Sequence, residues 1–148
     1  MQLLMASGRA RALADLPESV RALLERERRG VLTTLDPGGC GHSVPVVFVV
    51  IGDEIVAPID HKPKTGRVLT RVKNIERDAR VTVLVDHWDE DWTRLAWVMV
   101  RARAVIEPDT PPEVVQALNA RYPQYAPEER PDALIRMSPT KLTWWSWT

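Results

Sequence analysis
Short apolar stretches bounded by glycine, proline and acidic turn residues fill most of the chain, and helical spacing of apolar residues is confined to three segments. The first helical segment covers residues 17–29. Pro17 suits the first helical position, Glu18 suits the first turn, and Val20, Leu23 and Leu24 form one stripe before the stop at Gly30. The second covers roughly residues 65–77, with Val68, Leu69, Val72 and Ile75 at helical spacing onto a barrel. The third opens at Thr110-Pro-Pro-Glu113, where Thr110 caps, Pro111 fills the first turn and Glu113 completes a capping box, and it ends at Pro123.

The remaining pattern is β. Residues 30–36 form a short β-branched strand, and the cluster 37–41 turns the chain. His42 to Ile51 reads as a buried strand in which Pro45 marks an edge or a bulge. Gly52-Asp53 is a tight hairpin turn into a strand over Glu54 to Asp60. Arg80 to Trp88 and Thr93 to Ile106 pair across the acidic turn Asp89-Glu90-Asp91, and Ala133–Met137 and Lys141–Trp147 complete the set. Tyr122 to Pro131 is a polar, proline-rich loop, and residues 1–16 read as a flexible N-terminal segment of a single domain spanning 1–148. Strands outnumber helices and tight turns join most neighbours. The expected class is therefore mostly β, a mostly antiparallel barrel with peripheral helices, and closure hides the edges of such apolar strands.

Composition narrows the function. With 45% apolar residues over 148 positions the chain is not disordered, and its formal net charge of zero gives no global attraction for nucleic acid. The single cysteine excludes an internal disulfide, and no apolar run reaches bilayer length. The start lacks the apolar core of a signal peptide, so the expectation is a soluble cytoplasmic protein with no membrane partner. Three of the six tryptophans, Trp144, Trp145 and Trp147, crowd the C-terminal strand, more aromatic surface than a lone subunit readily buries.

Candidate chemistry concentrates in Asp60-His-Lys-Pro-Lys-Thr-Gly-Arg-Val-Leu-Thr-Arg71. On a helix, Lys64, Arg67 and Arg71 share one face, with Lys62 just ahead. Cations at the positive end of a helix are unfavourable unless an anion sits there, and free amide groups would assist its binding. The competing reading is a solvated basic face balanced by Glu76 and Asp78. Asp86-His-Trp-Asp-Glu-Asp91 reads as a charged hairpin turn, since alternate strand side chains diverge, and no metal site is expected. Cys40 lies in a glycine turn with nothing to orient a base, and His42 and His61 read as strand-end residues. No nucleophile elbow, phosphate loop or paired-cysteine motif is present, and no catalytic side chain is assigned. That pattern suits an enzyme whose cofactor carries the chemistry.

The ordered series Gly30-Val-Leu-Thr-Thr, His42-Ser-Val-Pro-Val46 and Lys73-Asn-Ile-Glu-Arg-Asp-Ala-Arg-Val81 resembles the pyridoxamine 5′-phosphate oxidase-like split barrels. More narrowly, Asp60-His-Lys-Pro-Lys64, Asp86-His-Trp-Asp-Glu-Asp-Trp92 and Ser138-Pro-Thr-Lys-Leu-Thr-Trp-Trp145 resemble an actinobacterial subgroup of oxidoreductases dependent on the deazaflavin coenzyme F420. The resemblance implies a six-stranded FMN-binding-type split barrel and a homodimer with cofactor sites at the subunit interface. It implies phosphate contacts from Lys62, Lys64, Arg67 and Arg71, with Asn74 and His61 nearby. It implies a ring system against Pro45 and Val46, and Trp145 facing the cofactor or the partner. The implied reaction is hydride transfer from reduced F420 to a small unsaturated substrate. The alternatives are an FMN oxidase or reductase of the same fold, a non-catalytic binder of flavin or a haem-derived ligand, and a structural dimer without ligand. Asp78-Ala79 stands where the family usually carries proline after the basic helix, and a proline common in the first hairpin is replaced around Cys40-Gly41.

Overall fold
The structure is a computed structural model that describes residues 5–60, 68–125 and 130–147. Strands β1 (Met5–Ala10), β2 (Gly30–Leu35), β3 (Gly41–Val46), β4 (Val49–Ile51), β5 (Glu54–Ile59), β6 (Arg80–His87), β7 (Ala96–Glu107) and β8 (Ala133–Trp147) form one antiparallel sheet. The order is β3-β2-β6-β7-β8-β5-β4, with β1 added beside β8. The two ends of that path, β3 and β4, are consecutive in the chain and separated only by Val47 and Phe48. One bent strand thus links both ends, which gives the six-stranded split barrel expected from the sequence.

Helices α1 (Glu18–Arg26), α2 (Thr70–Arg77) and α3 (Pro112–Arg121) lie around it. Val20, Leu23 and Leu24 of α1 and Val72 and Ile75 of α2 join Leu32, Val83, Val98, Val100 and Leu142 in the main core. α3 closes a smaller cluster in which Val114 and Leu118 meet Val56 and Leu134. Among the described residues, no helix is long and apolar enough to cross a membrane.

Several expectations need correction. Residues 5–10, expected to belong to a flexible segment, pair along β8 from Met5↔Trp147 to Ala10↔Leu142. They hold because a long exposed edge of β8 would otherwise leave its amide groups unpaired. The helix expected to start near residue 65 is seen only from Thr70, and Val68 is 52% exposed rather than packed on the barrel. The single strand expected over 42–51 breaks after Val46, downstream of Pro45 on the edge strand β3. The two last strands are one: a register shift between Arg101 and Ala102 leaves Thr140 as the extra residue beside Pro139, which itself stands opposite Ala102. The capping box at Thr110 does not form: α3 starts at Pro112, and the Thr110 hydroxyl donates to the Pro131 carbonyl at 3.0 Å.

The break in the bent strand is fastened by Tyr122. Its hydroxyl accepts from the Phe48 amide at 3.0 Å and donates to the Phe48 carbonyl at 2.8 Å, with the Arg28 carbonyl a competing acceptor at 3.0 Å. Arg121 lies over the Phe48 ring at 4.9 Å and donates to the carbonyls of Leu24 and Glu25 at 3.1 and 2.7 Å, holding the C-terminal end of α1. Tyr122→Phe strands the Phe48 peptide without partners inside the core. It should cost about 2 kcal/mol in urea unfolding at an unchanged m-value.

Candidate functional site
α2 follows β5 after a segment that carries three of the expected phosphate contacts, Lys62, Lys64 and Arg67. His61, Lys62, Lys64 and Arg67 lie outside the described residues, so their shared helical face with Arg71 is not part of the structure. Arg71 is described, in the first turn of α2. Leu69 caps this helix with no side-chain hydrogen bond, and its carbonyl takes the amides of Val72 and Lys73, each at 3.1 Å. The amide groups of Thr70 and Arg71 therefore have no intrahelical acceptor.

The Arg71 guanidinium is half-buried here, and its Nε is buried without a hydrogen-bond partner among the described residues. Burial pushes its pKa down, opposed by the Asp60 carboxylate at the end of β5. A guanidinium always stays charged, so this arrangement costs free energy unless an anion completes it. A guanidinium N–H without a hydrogen-bond partner, two amide groups without an intrahelical acceptor and the positive end of a helix dipole form a donor set suited to a phosphate monoester.

Asn74, one turn further along α2, is 2% exposed. Its amide nitrogen donates to Thr34 Oγ1 at 3.0 Å, and its oxygen accepts from Arg77 at 3.0 Å. In this arrangement Asn74 ties α2 to β2. Thr34 stands opposite His42 of β3, and His42 Nδ1 is also buried without a partner. Sequence reasoning set His42 aside as a strand-end residue. Its alternation with Val44 and Val46 was the signal that it turns inward.

Pro45 stands opposite Val31 on the outer side of β3 and is exposed, whereas Val46 is 9% exposed and belongs to the core. Of that pair, Pro45 alone is exposed outside the barrel. Trp145 packs edge-to-face on Trp147 at 5.6 Å and pairs with Trp97 across β7. It lies twelve residues along β8 from Ala133, which pairs with Ile59 at the Asp60 end of the barrel. By strand rise that is roughly 40 Å of chain. Arg71 and Trp145 of one chain therefore lie at opposite ends.

A second concavity of about 390 Å³ sits at the Trp145 end, between α1 and the β7–β8 pair, lined by Trp97, Trp144, Trp147, Arg26 and Arg94 among others. The Trp147 indole N–H is buried there without a partner. The acidic segment forms the β6–β7 connection, where His87 contacts Glu27 at 2.8 Å and Asp89 at 3.7 Å, and Asp91 accepts from the Thr93 amide and hydroxyl. Cys40 is exposed in a turn built on Asp36, whose Oδ1 accepts from the amides of Gly38 and Cys40.

Beyond α2, Arg80 holds the Asp78 carboxyl down at about 2. Its folded pKa lies below the unfolded value of about 3.9. The pair's contribution is therefore complete above that value and is lost as pH falls toward 2. An NMR titration of the Asp78 carboxyl should give a midpoint near 2, moving upward in Arg80→Ala, which removes the side-chain hydrogen bonds but keeps the Arg80 amide and the nearby Arg103 charge.

The fold is a split barrel, with Arg71 and the first turn of α2 near Asp60 at the end of β5. The chain belongs to the pyridoxamine 5′-phosphate oxidase family, whose model matches residues 16–146. That family contains oxidoreductases and binds flavin-type cofactors. A FAD-binding protein from Mesorhizobium loti is 16% identical with a TM-score of 0.71, covering 99% of each chain. An F420 reductase is 25% identical with a TM-score of 0.64, covering 86% of this chain and 98% of its own. A conserved hypothetical protein from Mycobacterium tuberculosis is 22% identical with a TM-score of 0.69, covering 87% of this chain and 84% of its own. No curated protein matches.

Proposed function
We propose that this chain is an F420-dependent oxidoreductase that works as a homodimer, with a cofactor site at each end of the subunit interface. The observation that carries the reading is the half-buried Arg71 guanidinium at the start of α2, whose Nε is buried without a hydrogen-bond partner among the described residues. An F420 reductase among the similar structures, at 25% identity, favours the deazaflavin. Arg71 and the amides of Thr70 and Arg71 would hold the phosphate, together with Lys62, Lys64 and Arg67 as the family resemblance implies. Pro45 would offer an apolar edge to the ring system. Trp145 would serve the partner's site, since it lies at the far end of its own barrel.

When bound, the reduced deazaflavin supplies a hydride to a small unsaturated acceptor such as an enone. The chain's task is then to bind, orient and exclude water. Stopped-flow oxidation of reduced F420 by a conjugated enone should require the protein and slow sharply in Arg71→Ala. Tight F420 binding with no oxidation by any acceptor would instead favour a storage or carrier role.

A second reading is supported by the FAD-binding protein that covers 99% of this chain. A flavin would use the same phosphate donors. Purification of a yellow protein with a flavin spectrum would favour it.

A further inference from the structure
The cavity of about 390 Å³ beneath α1 has a floor of small side chains. Ala6 of β1 stands opposite Ser146 of β8, which stands opposite Ala96 of β7, and all three line the cavity. Alternation puts this row on the core-facing side, in line with Leu142 and Trp144 on β8 and with Val98 and Val100 on β7. Trp144, one row deeper, fills the space over Gly8, where a Cβ would collide with its indole. No such side chain fills the outer row, so the end of the barrel stays hollow. Val20 and Leu23 line the cavity from the helix. Two charged residues line it as well, Arg26 in the last turn of α1 and Arg94 just before β7, and among the described residues no carboxylate does. Each guanidinium meets one carboxylate outside the cavity, Arg26 with Glu27 at 3.5 Å and Arg94 with Asp89 at 3.6 Å. These are long contacts of exposed arginines and hold little free energy. Both carboxylates also meet His87, at 2.8 and 3.7 Å. A guanidinium carries more N–H donors than one such contact uses. Ser19 and Ser146 line the cavity too, and neither hydroxyl has a hydrogen-bond partner among the described residues.

We propose that this cavity binds a small aromatic carboxylate, with its ring between the Trp144 indole and the α1 side chains Val20 and Leu23 and its carboxylate at Arg26 and Arg94. The volume suits such a molecule, since ligand pockets begin at about 300 Å³. Apolar walls with a few convergent polar groups give a ligand both affinity and orientation. Charge selects the anion: a neutral ring leaves both guanidinium groups unanswered, and a cation is repelled by them. The indole wall favours a flat aromatic ring, which it can meet edge-to-face or offset-stacked. The site is separate from the one at the start of α2. It opens on the core-facing side of β7 and β8, at the end of the barrel far from Ile59, whereas Pro45 lies on the outer side of β3. Every residue it uses belongs to one chain, and neither cofactor nor second subunit is needed to form it.

The test is calorimetric titration of the full-length protein with 2-naphthoate, and with 2-naphthalenemethanol as its uncharged counterpart. The wild type should bind one naphthoate per chain, roughly 10-fold or more tighter than the alcohol. Arg26→Gln combined with Arg94→Gln should weaken naphthoate by about 10- to 100-fold and leave the alcohol unchanged. Ser146→Leu fills the floor and should remove binding of both. The two arginines are exposed, so the double variant folds whether or not Ser146→Leu does. Arg71→Ala should bind naphthoate as the wild type does, and saturating F420 should not displace it. Absence of saturable naphthoate binding, equal binding by the double variant, or displacement by F420 would overturn the proposal. Loss of naphthoate in Arg71→Ala would move the carboxylate to the start of α2 and overturn it too. Whether F420 binds at all bears on the oxidoreductase reading alone.

Discussion

Arg71→Ala should weaken F420 and FMN alike by about 10- to 100-fold, the size of one charge-assisted hydrogen bond to phosphate. Both cofactors carry the phosphate that this guanidinium would grip, so neither escapes. The same substitution should leave the thermal midpoint of the free protein unchanged or slightly raised. A half-buried cation whose Nε has no partner is a cost in the empty protein. That sign separates the two roles Arg71 could play. A structural arginine would lower the midpoint when removed, and a ligand-binding one would not. Arg71→Lys keeps the charge but loses the Nε–H donor, so it should recover only part of the affinity. Equilibrium dialysis and a thermal melt of the three proteins decide the matter.

Phe48→Ala should cost about 3–5 kcal/mol, a drop of roughly 10–15 °C in melting temperature for a chain of this size. Phe48 is fully buried at the point where β3 ends and β4 begins. Its ring fills the core below Arg121, and its peptide is held at both polar atoms by Tyr122. The cavity would open where one bent strand joins the two ends of the sheet. Calorimetry should show a lower midpoint still in one transition, because the core crosses every strand of the barrel. A loss under 1 kcal/mol would mean that this bend collapses around the void without penalty.

The barrel was legible because alternation and turns are local. Gly52-Asp53 announces its hairpin, and Val81, Val83 and Val85 alternate inward as written. β1 was not legible. Residues 6–10 are Ala-Ser-Gly-Arg-Ala, with no apolar alternation of their own. Their strand state is imposed by β8, and Gly8 is small because a Cβ there would collide with the Trp144 indole. No reading of the segment alone contains that information. The joined β8 escaped for a similar reason, since the bulge that tolerates Pro139 is a property of the pair β7–β8.

The candidate site was half legible. Spacing located the basic segment and Arg71, and the structure adds that Arg71 Nε is buried without a hydrogen-bond partner among the described residues. Asn74 was grouped with the cofactor residues because it lies near them in sequence. Its engagement by Thr34, forty residues away, is a tertiary fact. The orphaned His42 Nδ1 beside Thr34 follows from the same pairing and could not precede it.

Tryptophan fluorescence titration of the wild-type protein with F420 and with FMN, side by side, tests the central claim most directly. Trp97, Trp145 and Trp147 are only partly buried, so under the proposed dimeric arrangement a cofactor beside them should quench them. The account predicts saturable quenching by both, one cofactor per subunit, with F420 the tighter ligand. Absence of saturable quenching or binding by either cofactor would contradict it.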